Sequence, residues 1–329
     1  MSDPESASET PPEPHHPQPA TPLPEGDANT GMSETLTRFL TAAVLVPAVL
    51  WVIIQGGLVY LGVVIAFVVL GQREFYHLIE EKGARPLWSL GLGAGAALPV
   101  VAYVGNEYHV TLLMTASLLA LMVAQLRKRN ITESLASLSG TFFGVVYVGW
   151  LLSHIVVLRR FYDAALARFE LDAVEAASLV PEAGIFFVIY TLTVVINCDA
   201  GAYFAGRAYG RHKLAPQISP GKSVEGAIGG IIWGTLAGLI CKAVFDGFWP
   251  ELSASLGYGA LVAFGIVLAI AGIVGDLVES LLKRDAAIKD AGSLLPGMGG
   301  VLDRIDAPLL AVPVMHYMLL GYLALRLGV

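Results

Sequence analysis

Two aspartates, Asp303 and Asp306, stand three residues apart behind a glycine-rich turn, in the stretch LLPGMGGVLDRID at 294–306. An apolar run, APLLAVPVMHYMLLGYLAL, follows directly. On a helix, a spacing of three presents both side chains to the same side. Paired hard oxygen ligands suit Mg2+, which takes one or two carboxylates and fills its other positions with waters and substrate phosphates. Asp303 is also placed to cap the last helix and complement its dipole, and the two uses are compatible. A third acid, Asp276, lies at the end of an apolar run, with Glu279, Ser280 and Lys283 three, four and seven residues on. Those spacings share one helix face. A carboxylate at membrane depth is expensive, faces a bundle interior or water, and has a partner. A structural ion pair at a helix end is the alternative use of Asp276.

Cations gather around these acids. Arg207, Arg211, Lys213 and Lys222 lie in the stretch 197–230, and Lys283, Arg284, Lys289 and Arg304 in the stretch 275–306. They are interleaved with SPGKS and PGMGG. Glycine turns expose backbone N–H groups, and these, with Lys and Ser, cradle phosphates. SPGKS is too short for a Walker loop and has no strand context for one. Carboxylates for a divalent cation, with cations and amides for phosphates, point to phosphoryl or nucleotidyl transfer.

The elements that must position these residues are apolar. The 329 residues are 55% hydrophobic and 14% charged, against about a quarter charged in ordinary soluble domains. Mean hydropathy is +0.67. A soluble all-α core would have too little charge to cover its surface. Nine apolar segments, near 39–54, 57–71, 89–104, 111–125, 139–157, 184–203, 227–245, 258–278 and 308–327, predict an all-α polytopic membrane bundle of about nine transmembrane helices. Residues 1–31 hold eight of the 18 prolines and six acids, with no Lys or Arg. That composition predicts a disordered tail, and it lacks the basic and apolar regions of a signal peptide. The domain expected to fold is 32–329. Cys198 and Cys241 have no metal or disulfide spacing and read as small apolar residues.

The loop charges set a topology. Arg38 precedes the first segment. Arg73, Lys82 and Arg85 lie in the second joint and Arg127, Lys128 and Arg129 in the fourth, with the cations of the two polar stretches in the sixth and eighth. The first, third and seventh joints have none. The positive-inside rule then puts the N-terminus and every even joint in the cytoplasm, so both polar stretches share one side. The fifth joint, 158–183, departs from the pattern with Arg159, Arg160 and Arg168. It also holds Asp163, Glu170, Asp172, Glu175 and Glu182, as an amphipathic surface segment would. Gly230, Gly234 and Gly238 form a smooth helix stripe for close packing within the bundle, with a homodimer contact as its second use.

These residues resemble a known family. SLLKRDAAIKDAGSLLPGMGGVLDRID at 280–306 is similar to the signature of phosphatidate cytidylyltransferases (CDP-diacylglycerol synthases). Its S-x-x-K-R-x4-K-D opening is met by Ser280, Lys283, Arg284, Lys289 and Asp290, and its D-R-x-D ending by Asp303, Arg304 and Asp306. DAGAYFAGRAYGRHKLAPQISPGKSVEG and GDLVES also match the family's pattern, and the resemblance runs from about residue 32 to the end, strongest over 197–306. The chain departs from it at Met298, where a His is usual, and at SPGKS, where SPKKT is common. A thioether neither donates nor accepts a proton, so this turn is expected to act through its glycines and amides.

The resemblance implies the reaction CTP + phosphatidate → CDP-diacylglycerol + pyrophosphate, dependent on Mg2+ or another divalent metal, at the cell (inner) membrane with the site facing the cytoplasm. It implies Asp276 and Asp303 as metal ligands, with Asp306 and Asp199 as further acids nearby. Lys222, Lys283, Arg284 and Lys289 would hold phosphates, and Ser219, Arg207 and Arg304 would orient the site. No nucleic-acid partner is expected. Other readings of the same residues are a CTP-dependent enzyme with a polyprenol or ether-lipid acceptor, an inactive homologue, and an ion-coupled transporter using Asp199 and Asp276. The transporter lacks the inverted repeat in hydropathy that such folds carry.

Overall fold

The computed structural model describes residues 43–105, 107–128, 131–169, 180–292 and 299–328. The tail 1–31, Glu170, Asp172, Glu175 and Met298 lie outside them. Among the described residues all nine expected apolar segments are helical, the first from residue 43 onward. Seven are long and apolar enough to span a membrane: α2 (Gly57–Glu81), α4 (Glu107–Leu126), α5 (Ser134–Arg159), α7 (Ala183–Tyr209), α8 (Val224–Phe248), α10 (Tyr258–Asp285) and α11 (Leu302–Leu327). The other two, α1 (Ala43–Gln55) and α3 (Trp88–Val104), are shorter among the described residues. The sequence expectation of about nine spans thus divides into seven of spanning length and two apolar helices below it. The polytopic all-α bundle stands. Two small helices, α6 (Phe161–Phe169) and α9 (Pro250–Ser253), lie in the joints.

Among the described residues the strands form one hairpin, β1 (Lys213–Ala215) antiparallel to β2 (Ser219–Ser223), with Lys213 opposite Ser223. It sits between α7 and α8. The Ser223 hydroxyl accepts the Gly226 N–H at 3.1 Å and caps α8. Lys222 is therefore fixed immediately before the α8 N-terminus.

The even joints meet at one end of the bundle. Lys82 pairs with Asp285 at 2.8 Å, Lys128 Nζ donates to the Arg85 carbonyl at 3.3 Å, and Arg284 Nε donates to the Ile218 carbonyl at 3.3 Å. The odd joints meet at the other end, where Arg168 reaches Glu107 at 3.7 Å.

The arginines of the fifth joint, which depart from the charge pattern, have structural partners there. Arg159 is 8% exposed. It donates to the Ile53 and Ile54 carbonyls at 2.8 and 3.4 Å and pairs with Glu182 at 2.8 Å. Its guanidinium thus closes the C-terminal end of α1, where orphan carbonyls and the helix dipole favour a cation. Arg160 pairs with Asp163 at 2.7 Å and donates to the Tyr103 carbonyl. An arginine held this way is part of the fold, so a loop count overstates its weight in topology.

α7 runs through the middle and packs most extensively on α8. The Gly230 and Gly234 stripe faces it. A Cβ at either position would lie 2.7 or 2.6 Å from the carbonyl of Cys198 or Val194. Close packing within the bundle therefore accounts for this stripe. Cys198 and Cys241 are buried free thiols, in keeping with an apolar role.

Candidate active site

At the end of the bundle where the even joints gather, α10 and α11 come together. The close approach is made at Gly275, where a Cβ would sit 2.5 Å from the Asp306 carbonyl and 3.1 Å from Cα of Ala307. Only a residue without a side chain permits this, and it sets Asp276 of α10 beside Asp306 of α11. Asp276, Glu279 and Asp306 each offer a carboxylate oxygen, all within 4.8 Å of one another. Glu279 is 1% exposed, and its Oε1 has no hydrogen-bond partner among the described residues.

Two lysines offset part of the cluster's charge. Lys222, carried by β2, forms an ion pair with Asp276. Lys283 lies between Glu279 at 2.8 Å and Asp303 at 2.7 Å. Ser280 donates to Asp276 at 3.3 Å. Three carboxylates converge here with two lysines, and one buried carboxylate oxygen is unused. That donor set fits a hard divalent cation.

Asp303 is not among these three acids, but it lies beside Glu279 across the shared Lys283. Besides Lys283 it accepts the Gly300 N–H at 2.8 Å and the Ala291 N–H at 3.2 Å. It therefore ties the loop between α10 and α11 to the lysine. Of the acids expected to hold metal, the structure brings Asp276 and Asp306 together, and Glu279 takes the third place. The signal for Glu279 was its position three residues after Asp276 on one helix face.

The remaining expected residues surround this centre unevenly. Asp199, exposed on α7, has Asp276, Lys222 and Arg304 as charged neighbours. Arg284 holds the hairpin through Ile218. Ser219 is half-buried in β2. Lys289 and Arg304 are exposed. Arg207 is exposed on α7 and donates to the Tyr203 hydroxyl one turn back at 3.1 Å.

Sequence reasoning missed Glu74. From α2 its carboxylate accepts the Val301 N–H at 3.0 Å and the Leu302 N–H at 2.7 Å, capping α11 across 227 and 228 residues of chain. A Cβ at Gly292 or Gly300 would run into this carboxylate. No local pattern signals such a cap, because donor and acceptor meet only in the folded bundle.

Fold and site together define a polytopic membrane protein with an acidic, lysine-flanked cluster at one end. The chain belongs to the cytidylyltransferase family, whose model matches residues 36–322. It is similar to the phosphatidate cytidylyltransferase of Haemophilus influenzae, 43% identical over 42% of this chain and 46% of that protein. It is 33% identical to phosphatidate cytidylyltransferase 4, chloroplastic, of Arabidopsis thaliana, over 78% of this chain and 66% of the relative. It is also 29% identical to the phosphatidate cytidylyltransferase of Synechocystis, over 85% and 94%. The match thus spans about half the length of the Haemophilus relative.

Proposed function

We propose that this protein transfers a cytidylyl group from CTP to phosphatidate, forming CDP-diacylglycerol and pyrophosphate for phospholipid synthesis. The observation that carries the reading is the convergence of Asp276, Glu279 and Asp306 with Lys222 and Lys283 in a chain of the cytidylyltransferase family. The names of its relatives favour phosphatidate as acceptor over a polyprenol or ether lipid.

A phosphate oxygen of phosphatidate attacks the α-phosphorus of CTP. The bond from that phosphorus to the β-phosphate bridge oxygen breaks in line, and pyrophosphate leaves with the electron pair. No oxidation occurs, and the attacking phosphate is already anionic near neutral pH. Asp276, Glu279 and Asp306 would hold Mg2+ or another divalent cation, which when bound neutralises phosphate charge and polarises the phosphoryl group. Lys222 and Lys283 bring positive charge to the same place, and Arg284 and Lys289 extend it toward the leaving pyrophosphate. Asp303 keeps Lys283 and the loop amides in register. Ser219, Arg207, Arg304 and Asp199 line the approach. Catalysis of this kind is positioning plus charge stabilisation.

In this reading 32–329 is one membrane-embedded domain, with its signature region at 197–306 and the tail 1–31 outside it. The site opens to the cytoplasm at the cell membrane, where a soluble nucleotide meets a lipid that enters sideways from the bilayer. Purified protein supplied with Mg2+, labelled CTP and phosphatidate should yield labelled CDP-diacylglycerol. No product with any divalent cation would overturn the reading, and product only with a polyprenol acceptor would replace the substrate.

A further inference from the structure

The Tyr147 hydroxyl is a polar group beside the site to which the proposed function gives no role. Tyr147 lies in a π-helical turn, Val145–Trp150, within α5. Turns of this kind widen a helix, re-aim a side chain, and often occur at functional sites. Its ring is stacked on Phe143, with centroids 5.4 Å apart and planes 8° from parallel. Phe75 lies against it at 5.8 Å. Two aromatic neighbours therefore fix where the hydroxyl points.

The residue is 3% exposed. Its hydroxyl has no hydrogen-bond partner among the described residues. A buried hydroxyl without a partner is rare in folded proteins and calls for an explanation. Its charged neighbours are Glu279, Asp306 and Asp276, the three acids of the cluster. Ionised carboxylates only accept, whereas a phenol can donate. The unpartnered Glu279 Oε1 is in the same cluster. An unused donor and an unused acceptor thus stand close to one charged centre.

We propose that Tyr147 is a positioning residue of this site. Its hydroxyl donates to the carboxylate shell that forms when the three acids close on a divalent cation, and so sets the affinity of the cluster for that cation. The inference rests on the reading that the cluster holds one. Carboxylates that bind metals are themselves held by hydrogen bonds, and loss of such a partner typically weakens metal binding 10- to 100-fold.

Mn2+ binding to the purified full chain, followed by the electron paramagnetic resonance of free Mn2+, tests this without turnover. Tyr147→Phe keeps the ring stack and removes the donor. Its Kd for Mn2+ should rise about 10-fold at unchanged stoichiometry. Phe143→Leu keeps the hydroxyl but loosens its aim, and should raise the Kd by less. Wild-type Kd values in both variants would overturn the proposal while leaving the cation site in place. A fall in stoichiometry at constant Kd would also overturn it, by making Tyr147 a folding residue. Absence of saturable Mn2+ binding by the wild-type chain, with Asp276→Asn as the control, would overturn the cation reading itself.

Discussion

Lys283 joins the two halves of the site at the scale of single residues. It touches Glu279 and Asp303, which are 1% and 9% exposed. Lys283→Met would leave two buried carboxylates without their cation, a change that typically costs about 3–5 kcal/mol. We expect a lower unfolding midpoint in detergent and no CDP-diacylglycerol formation, while Lys283→Arg keeps the charge and part of both. Equal stability of Lys283→Met and wild type would show that the clamp contributes nothing. Glu74 supports a different expectation. Glu74→Ala frees the Val301 and Leu302 amides, a capping loss of about 1–2 kcal/mol. The site loop would shift and activity would drop through the loss of this cap. Glu74→Gln keeps an acceptor oxygen and should retain more activity, so similar losses in the two variants would argue against the cap. At this scale the sequence singled out Asp276 and Asp306, which the fold brings together, because acids in apolar runs stand out. It did not separate Asp303 from Glu279. Their roles depend on which oxygen meets Lys283 and which meets the loop amides, and linear spacing holds neither distance.

At the scale of elements, α10 and α11 meet at Gly275 and α7 and α8 meet along Gly230 and Gly234. Gly275→Val would force the Asp276 and Asp306 backbones apart. Overpacking of this kind typically costs about 1–3 kcal/mol. Activity should fall further than the midpoint, because the cluster geometry is lost before the bundle is. A variant with normal turnover would mean that the helices can separate without harm to the site. The glycine stripe on α8 was legible from its four-residue repeat, since small residues so spaced can only make a groove. Its partner helix was not, because a groove carries no address. The π-helical turn at Val145–Trp150 was likewise hidden. It depends on packing against other helices and leaves no local pattern in the residues.

For the whole molecule, joints distant in sequence come together at one end through Lys82–Asp285 and Arg284–Ile218. Reporter fusions after residues 80, 130, 215 and 290 should therefore all give the same side, the cytoplasm in our proposal. A fusion at 215 opposite to one at 290 would break the single-site arrangement. Arg159 and Arg160 should not disturb this result, because their partners are carbonyls and acids of the opposite end.

The sequence by itself determined the membrane environment, the helical class and the gathering of the cationic joints at one end of the bundle. Each follows from quantities that add along the chain: apolar length against bilayer thickness, and loop charge against the positive-inside rule. Tertiary structure alone decided which carboxylates converge, that Asp303 serves the loop, and that Glu74 and Tyr147 reach the site from α2 and α5. Those outcomes depend on distances of a few ångströms between helices far apart in sequence, set by where two backbones can touch.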